Sequence, residues 1–101
     1  MDIRFEHMLN VRYAGLRLIP SNAADRELLR LGLSLRDCKE ILEQGYEPRK
    51  RGRGTIERWL DAGSKTYNVV AVRAHNRFYQ EEVWLITHSG RFTRKKWLKK
   101  S

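Results

Sequence analysis

Cysteine, proline and long apolar runs are all scarce in this chain. Cys38 is the only cysteine, so neither an intramolecular disulfide nor a thiolate-rich zinc site can form, and a reducing, intracellular setting is expected. No apolar run approaches the roughly 20 residues needed to cross a bilayer, and the N-terminal MDIRFEHMLN lacks the apolar segment of a secretory signal. The expected location is the cytoplasm, with no membrane partner. Metal-binding patterns of the HxxxH or HExxH type and His/Asp/Glu clusters at ligand spacing are missing, as are the GxxxxGK[ST] and GxGxxG phosphate loops. The RGRG at 51–54 has the spacing of neither loop, so no metal and no cofactor is expected. Glu81 and Glu82 are neighbours, which on a strand places them on opposite faces and prevents them from acting as a carboxylate pair. No internal repeat or low-complexity segment is visible.

What the chain has instead is positive charge, unevenly placed. Residues 1–44 carry seven Lys/Arg against seven Asp/Glu, whereas residues 45–101 carry fourteen against five, so the whole net charge of +9 lies in the second half. Such asymmetry points to an anionic polymer, because each phosphate neutralised releases a counterion. A solubilising or membrane-surface patch is the competing explanation. With 41% hydrophobic residues, 33% charged residues and ten aromatics, the composition is that of a folded domain rather than a disordered chain. The 101 residues suit one domain burying roughly 60–65% of its unfolded surface.

Residues 1–20 form an extra N-terminal segment with mixed signals: strand-like alternation at Ile3 and Phe5 and at Val11 and Tyr13, or a helix across Phe5–Val11. Two helices should follow, near 22–31 and 34–44. Asn22 can cap the first, with Asp25 answering three residues on and Gly32 as the stop; Ser34 with Asp37 caps the second, which Gly45 ends. Residues 46–54 (YEPRKRGRG) read as an exposed basic loop. Strands are then expected at 55–61, 66–74 and 78–88, with turns at 62–64 and near Asn76-Arg77. Ser89-Gly90 should break the last strand, leaving 89–101 as a basic tail. The fold class is therefore α+β.

Two basic clusters, Arg49/Lys50/Arg51/Arg53 and a tail group including Arg91, Arg94, Lys95 and Lys96, fall at the two ends of this meander, with Trp97 among the tail cations. Guanidinium forks bind phosphate and aromatic rings stack on unpaired bases, so these residues are candidate nucleic-acid contacts, with RNA as the expected partner. Trp84, Ile86 and His88 share one strand parity, and His88 lies where that strand runs out, next to a turn and Arg91. It is the best placed of three histidines to exchange protons as a general acid or base, with Arg91 and Arg58 as candidate cations for phosphate charge. A surface or merely hydrogen-bonded histidine is the competing explanation. His75 in a turn and His7 near the N-terminus rank lower.

The segment SNAADRELLRLGLSLRDCKEILEQG (21–45) resembles the helical hairpin of small uncharacterised domains related to the RelE and BrnT toxins. Downstream, the basic glycine loop, KTYNVVAV (65–72) and EVWLITH (82–88) are similar to that family's meander. The resemblance implies two N-terminal helices packed on one face of a curved antiparallel sheet. It also implies cleavage of RNA without metal, by attack of the ribose 2′-hydroxyl on the neighbouring phosphate. Arg26 and Arg30 match the family's helix arginines. Asn22 stands where the family has a histidine, with one extra residue before Gly32, so that role is lost or has passed to His88 or a lysine. Three functions remain in play: a toxin-type endoribonuclease associated with RNA or the ribosome, a catalytically silent nucleic-acid-binding domain, and a small protein docking an acidic, antitoxin-like partner.

Overall fold

Serines open both helices. The computed structural model, which describes residues 10–93, places α1 at Asn22–Leu31 and α2 at Leu35–Gln44. At α2 the expected capping box is present: Ser34 Oγ accepts from Asp37 N–H at 3.1 Å while Asp37 Oδ2 accepts from Ser34 N–H at 2.8 Å. At α1 the cap is Ser21 rather than Asn22. Ser21 has extended backbone angles, its hydroxyl accepts from Ala24 N–H at 3.1 Å, and its own N–H donates to Ile86 O at 2.8 Å. That tie to a distant strand holds Ser21 outside the helix, and Asn22 becomes the first helical residue. Gly32, at φ 72°, closes α1, donating to Leu28 and Leu29 carbonyls.

The inner faces follow the helical period. Ala24 and Leu28 of α1, and Leu35, Cys38, Ile41 and Leu42 of α2, are buried, each large side chain contributing about 1.5–3 kcal/mol. Glycine at 45 has a packing reason: a Cβ there would lie 2.5 Å from Ile41 O and 2.6 Å from Trp59 O.

The strands are β1 (Arg12–Tyr13), β2 (Leu16–Pro20), β3 (Thr55–Ala62), β4 (Lys65–Asn76) and β5 (Glu81–Thr93), in the spatial order β1-β2-β5-β4-β3. The meander β3–β4–β5 is antiparallel, as expected, with shifted limits: β5 starts three residues later than Phe78. It does not break at Ser89-Gly90 but runs to Thr93, because Lys65, Thr66, Tyr67, Asn68 and Val69 supply partners for Thr93, Phe92, Arg91, Gly90 and Ser89. The sheet as a whole is mixed rather than purely antiparallel, since β2 lies parallel to β5 with Arg17 opposite Val83 and Pro20 opposite Ile86. Parallel neighbours need a long crossover; here the two helices and the first two meander strands provide it. The N-terminal segment thus adds an edge, a short hairpin turned at Ala14-Gly15 where both φ values are positive. Ile3, Phe5 and His7 lie outside the described residues.

Helix α1 rests on β5, and α2 on β3 and β4. Between them and one sheet face lies a core that includes Leu18, Leu28, Leu42, Val69, Ala71, Trp84 and Ile86. One irregularity governs the rest. Val70 pairs with His88 but Ala71 pairs with Ile86, so Thr87 is an extra residue, a β-bulge.

Candidate nucleic-acid interface

Strand alternation sorts the sheet into two faces. Tyr67, Val69 and Ala71 of β4 face the helices; Asn68, Val70 and Val72 therefore face away. The register extends this second face across the meander in rows: Glu57–Val70–His88, Trp59–Asn68–Gly90 and Asp61–Thr66–Phe92. Among the described residues no helix packs on it, and it borders the basic loop, whose first residue, Tyr46, pairs with Trp59 through two backbone hydrogen bonds.

Glu57 is the organising group of this face. It is 4% exposed, and a carboxylate so far from water must be paired to be tolerated. Its Oε2 accepts the Trp59 indole N–H at 2.8 Å, its Oε1 accepts from Arg51 Nη1 at 3.1 Å, and Arg49 Nε lies 3.6 Å from the same oxygen. The carboxylate therefore draws the loop onto the sheet. Arg49 and Arg51 remain 59% and 37% exposed, so each guanidinium turns one edge to Glu57 and keeps further N–H donors for a ligand. Arg49 also lies over the Trp59 ring, 5.9 Å from its centroid. Trp59 meets Tyr46 and Phe92 edge-on at 6.3 and 5.2 Å, which makes one aromatic cluster beside two anchored arginines. Tyr46 and Phe92 are themselves exposed, as are Lys50 and Arg53.

The bulge builds a second cluster. Without Thr87 as an extra residue, His88 would follow Trp84 and Ile86 into the core, as its parity suggests; with it, Ser89 takes the inward position at 1% exposure and His88 turns outward. Strand β2 ends opposite Ile86, and beyond it Glu27 of α1 reaches the edge of β5. Glu27 Oε1 accepts from Ser89 N–H at 2.9 Å and lies 3.2 Å from His88 Nδ1. A carboxylate at that distance favours the tautomer with its proton on Nδ1 and leaves Nε2 for other work. Gly90 gives the ring its room: a Cβ there would lie 3.4 Å from His88 Nε2 and 2.9 Å from Asn68 Oδ1.

The remaining sequence candidates fall elsewhere. Arg91 pairs with Tyr67 and Arg58 with Val69, which assigns both to the helix side by alternation, away from His88; Arg58 Nη1 donates to the Glu57 carbonyl at 3.0 Å. Asn22, Arg26 and Arg30 are exposed on α1. Arg94, Lys95, Lys96 and Trp97 lie outside the described residues. Glu81 and Glu82 take different partners, Arg17 at 2.9 Å and Arg73 at 3.3 Å. Among the described residues no three His, Cys, Asp or Glu side chains gather as a metal site, and no helix is long and apolar enough to cross a membrane.

Sequence reasoning missed Glu27, Glu57, Trp59 and Asn68. Glu27 had a signal, lying three residues after Ala24 and one before Leu28 on the inward side of α1. Glu57 had none, since its burial depends on a loop folding over the strand. Comparison with protein-family models, curated proteins and solved structures finds no match for this chain.

Proposed function

We propose that the sheet face opposite helices α1 and α2 binds single-stranded RNA. Arg49, Lys50, Arg51 and Arg53 take phosphates, and Tyr46, Trp59 and Phe92 offer rings to unpaired bases. The observation that carries this reading is the Glu57 anchor, which holds two guanidiniums beside an aromatic cluster before any ligand arrives. Preorganised cations lose less side-chain entropy on binding than free ones. Titration of a labelled single-stranded RNA across a range of salt tests the reading; failure to bind even at low salt would refute it.

A second reading, metal-independent endoribonuclease activity on a RelE-like fold, is favoured by the Glu27–His88 pair. Two helices that precede an antiparallel meander and pack on one face of it are what such a fold requires. In this reading Glu27 holds the Nδ1 proton, and His88 Nε2 takes the proton of the ribose 2′-hydroxyl as that oxygen attacks the adjacent phosphate; the bond from phosphorus to the 5′-oxygen of the next nucleotide breaks, and that oxygen leaves as a 5′-hydroxyl with a proton from solvent water. Charge on the phosphate would fall to Arg51 or Arg49, whose anchor Glu57 lies two strands from His88 in the same row, roughly 10 Å away, rather than to Arg91. The test is incubation with mixed RNA in EDTA, with inspection for 2′,3′-cyclic phosphate ends.

A further inference from the structure

Asn68 stands in the middle of the face proposed for RNA, and among the described residues nothing donates to its Oδ1, although that oxygen is screened from water. A buried acceptor of this kind gives up its hydration for no return, and in a folded domain such an atom calls for a reason. Its neighbours supply one. Trp59 is the β3 partner of Asn68 and Gly90 is its β5 partner. Gly90 contributes no side chain, and the position its Cβ would take lies 2.9 Å from Asn68 Oδ1, so the amide oxygen points over the glycine. His88 Nε2 is 3.4 Å from the same position, but in the tautomer that Glu27 favours it carries no proton and is no donor to the amide. His88 and Phe92 stand two residues to either side of Gly90 on one strand face, roughly 13 Å apart, and form the two ends of a slot.

The two rings beside the slot are held differently. They meet across β4 at 5.2 Å. The Trp59 indole N–H is fixed by Glu57 Oε2 at 2.8 Å, whereas Phe92 is 40% exposed and has no polar group to anchor it. Resting on the RNA reading above, we propose that Asn68 reads the pairing edge of one unpaired base. The base stacks on the fixed Trp59 ring as Phe92 turns outward, and its edge comes over Gly90, donating an N–H to Asn68 Oδ1 and accepting from Asn68 Nδ2. An N–H beside an acceptor is what the Watson–Crick edge of each of the four bases presents, and in a duplex that edge is already occupied. The slot therefore takes unpaired nucleotides and turns duplexes away. The loop arginines, which meet phosphate, carry no such selection.

The test compares the binding of the full chain to two short single strands, oligouridine and its 3-methyluridine counterpart, by fluorescence anisotropy. The methyl group removes the only N–H of the uracil edge and leaves the charge and the backbone as they were. Oligouridine should bind roughly 5- to 100-fold more tightly, the worth of one bidentate base contact. Asn68→Ala, which removes an oxygen that has no donor to lose, should bring the two affinities together by weakening oligouridine alone. Equal affinities in the wild-type protein overturn the proposal, and so does a difference that survives in Asn68→Ala. Absence of binding to either strand at low salt is a separate outcome: it refutes the RNA reading itself, and this inference with it.

Discussion

His88 Nδ1 lies 3.2 Å from Glu27 Oε1, a contact between the first helix and the last strand that exists because Thr87 is a bulge. The same carboxylate oxygen accepts from Ser89 N–H, so Glu27 orients the imidazole and satisfies the strand edge together. If the protein cleaves RNA, His88→Ala should lower the rate by roughly 10²–10⁴-fold, the usual worth of one general acid or base, with RNA affinity nearly unchanged. Measurement of single-turnover cleavage in EDTA beside binding decides it; cleavage by His88→Ala at the wild-type rate removes the histidine from the chemistry.

Loop cations should dominate the salt dependence of RNA binding. Each phosphate released from a single strand changes the slope of log K against log salt by about 0.7, so replacing Arg49, Lys50, Arg51 and Arg53 together with Ala should flatten it by about 3. Fluorescence anisotropy over a salt series measures this. An unchanged slope would show that the loop is only solvated.

Glu57→Ala strips the Trp59 indole N–H and two guanidiniums of their acceptor. The arginines can turn to water, but the indole is only partly exposed, so a loss of about 1–3 kcal/mol in stability is expected. Glu57→Gln keeps an acceptor for Trp59 and should lose less. Urea denaturation of both variants checks the order; equal stability of Glu57→Ala and wild type would mean that the carboxylate anchors nothing.

Gly90→Ala would push a methyl to within 2.9 Å of Asn68 Oδ1, and overpacking of this kind costs about 1–3 kcal/mol. The cost should fall when Asn68→Ala is added, because the obstructing oxygen is gone. A double-mutant cycle of thermal or urea midpoints reads the coupling, and strict additivity of the two changes would contradict the contact.

Much of the scaffold was legible locally. The Ser34 and Asp37 box, the apolar spacing of Leu35, Cys38, Ile41 and Leu42, and the alternating runs after Thr55 each act within a few residues, so the helical hairpin and the meander could be read before any tertiary contact was known. The basic loop was legible too, from its charges and glycines. The Ser21 cap was not, since its deciding hydrogen bond comes from Ile86.

Sequence by itself therefore determined which segments are helical, which are extended and where the positive charge gathers, because caps, periodicity and composition are short-range properties. Tertiary structure alone decided that β2 lies parallel beside β5, that Thr87 bulges and turns His88 away from the core, and that Glu57 is buried beneath the loop it anchors. Each of these depends on register between strands distant in the chain, and a shift of one residue in that register moves a side chain to the other face of the sheet.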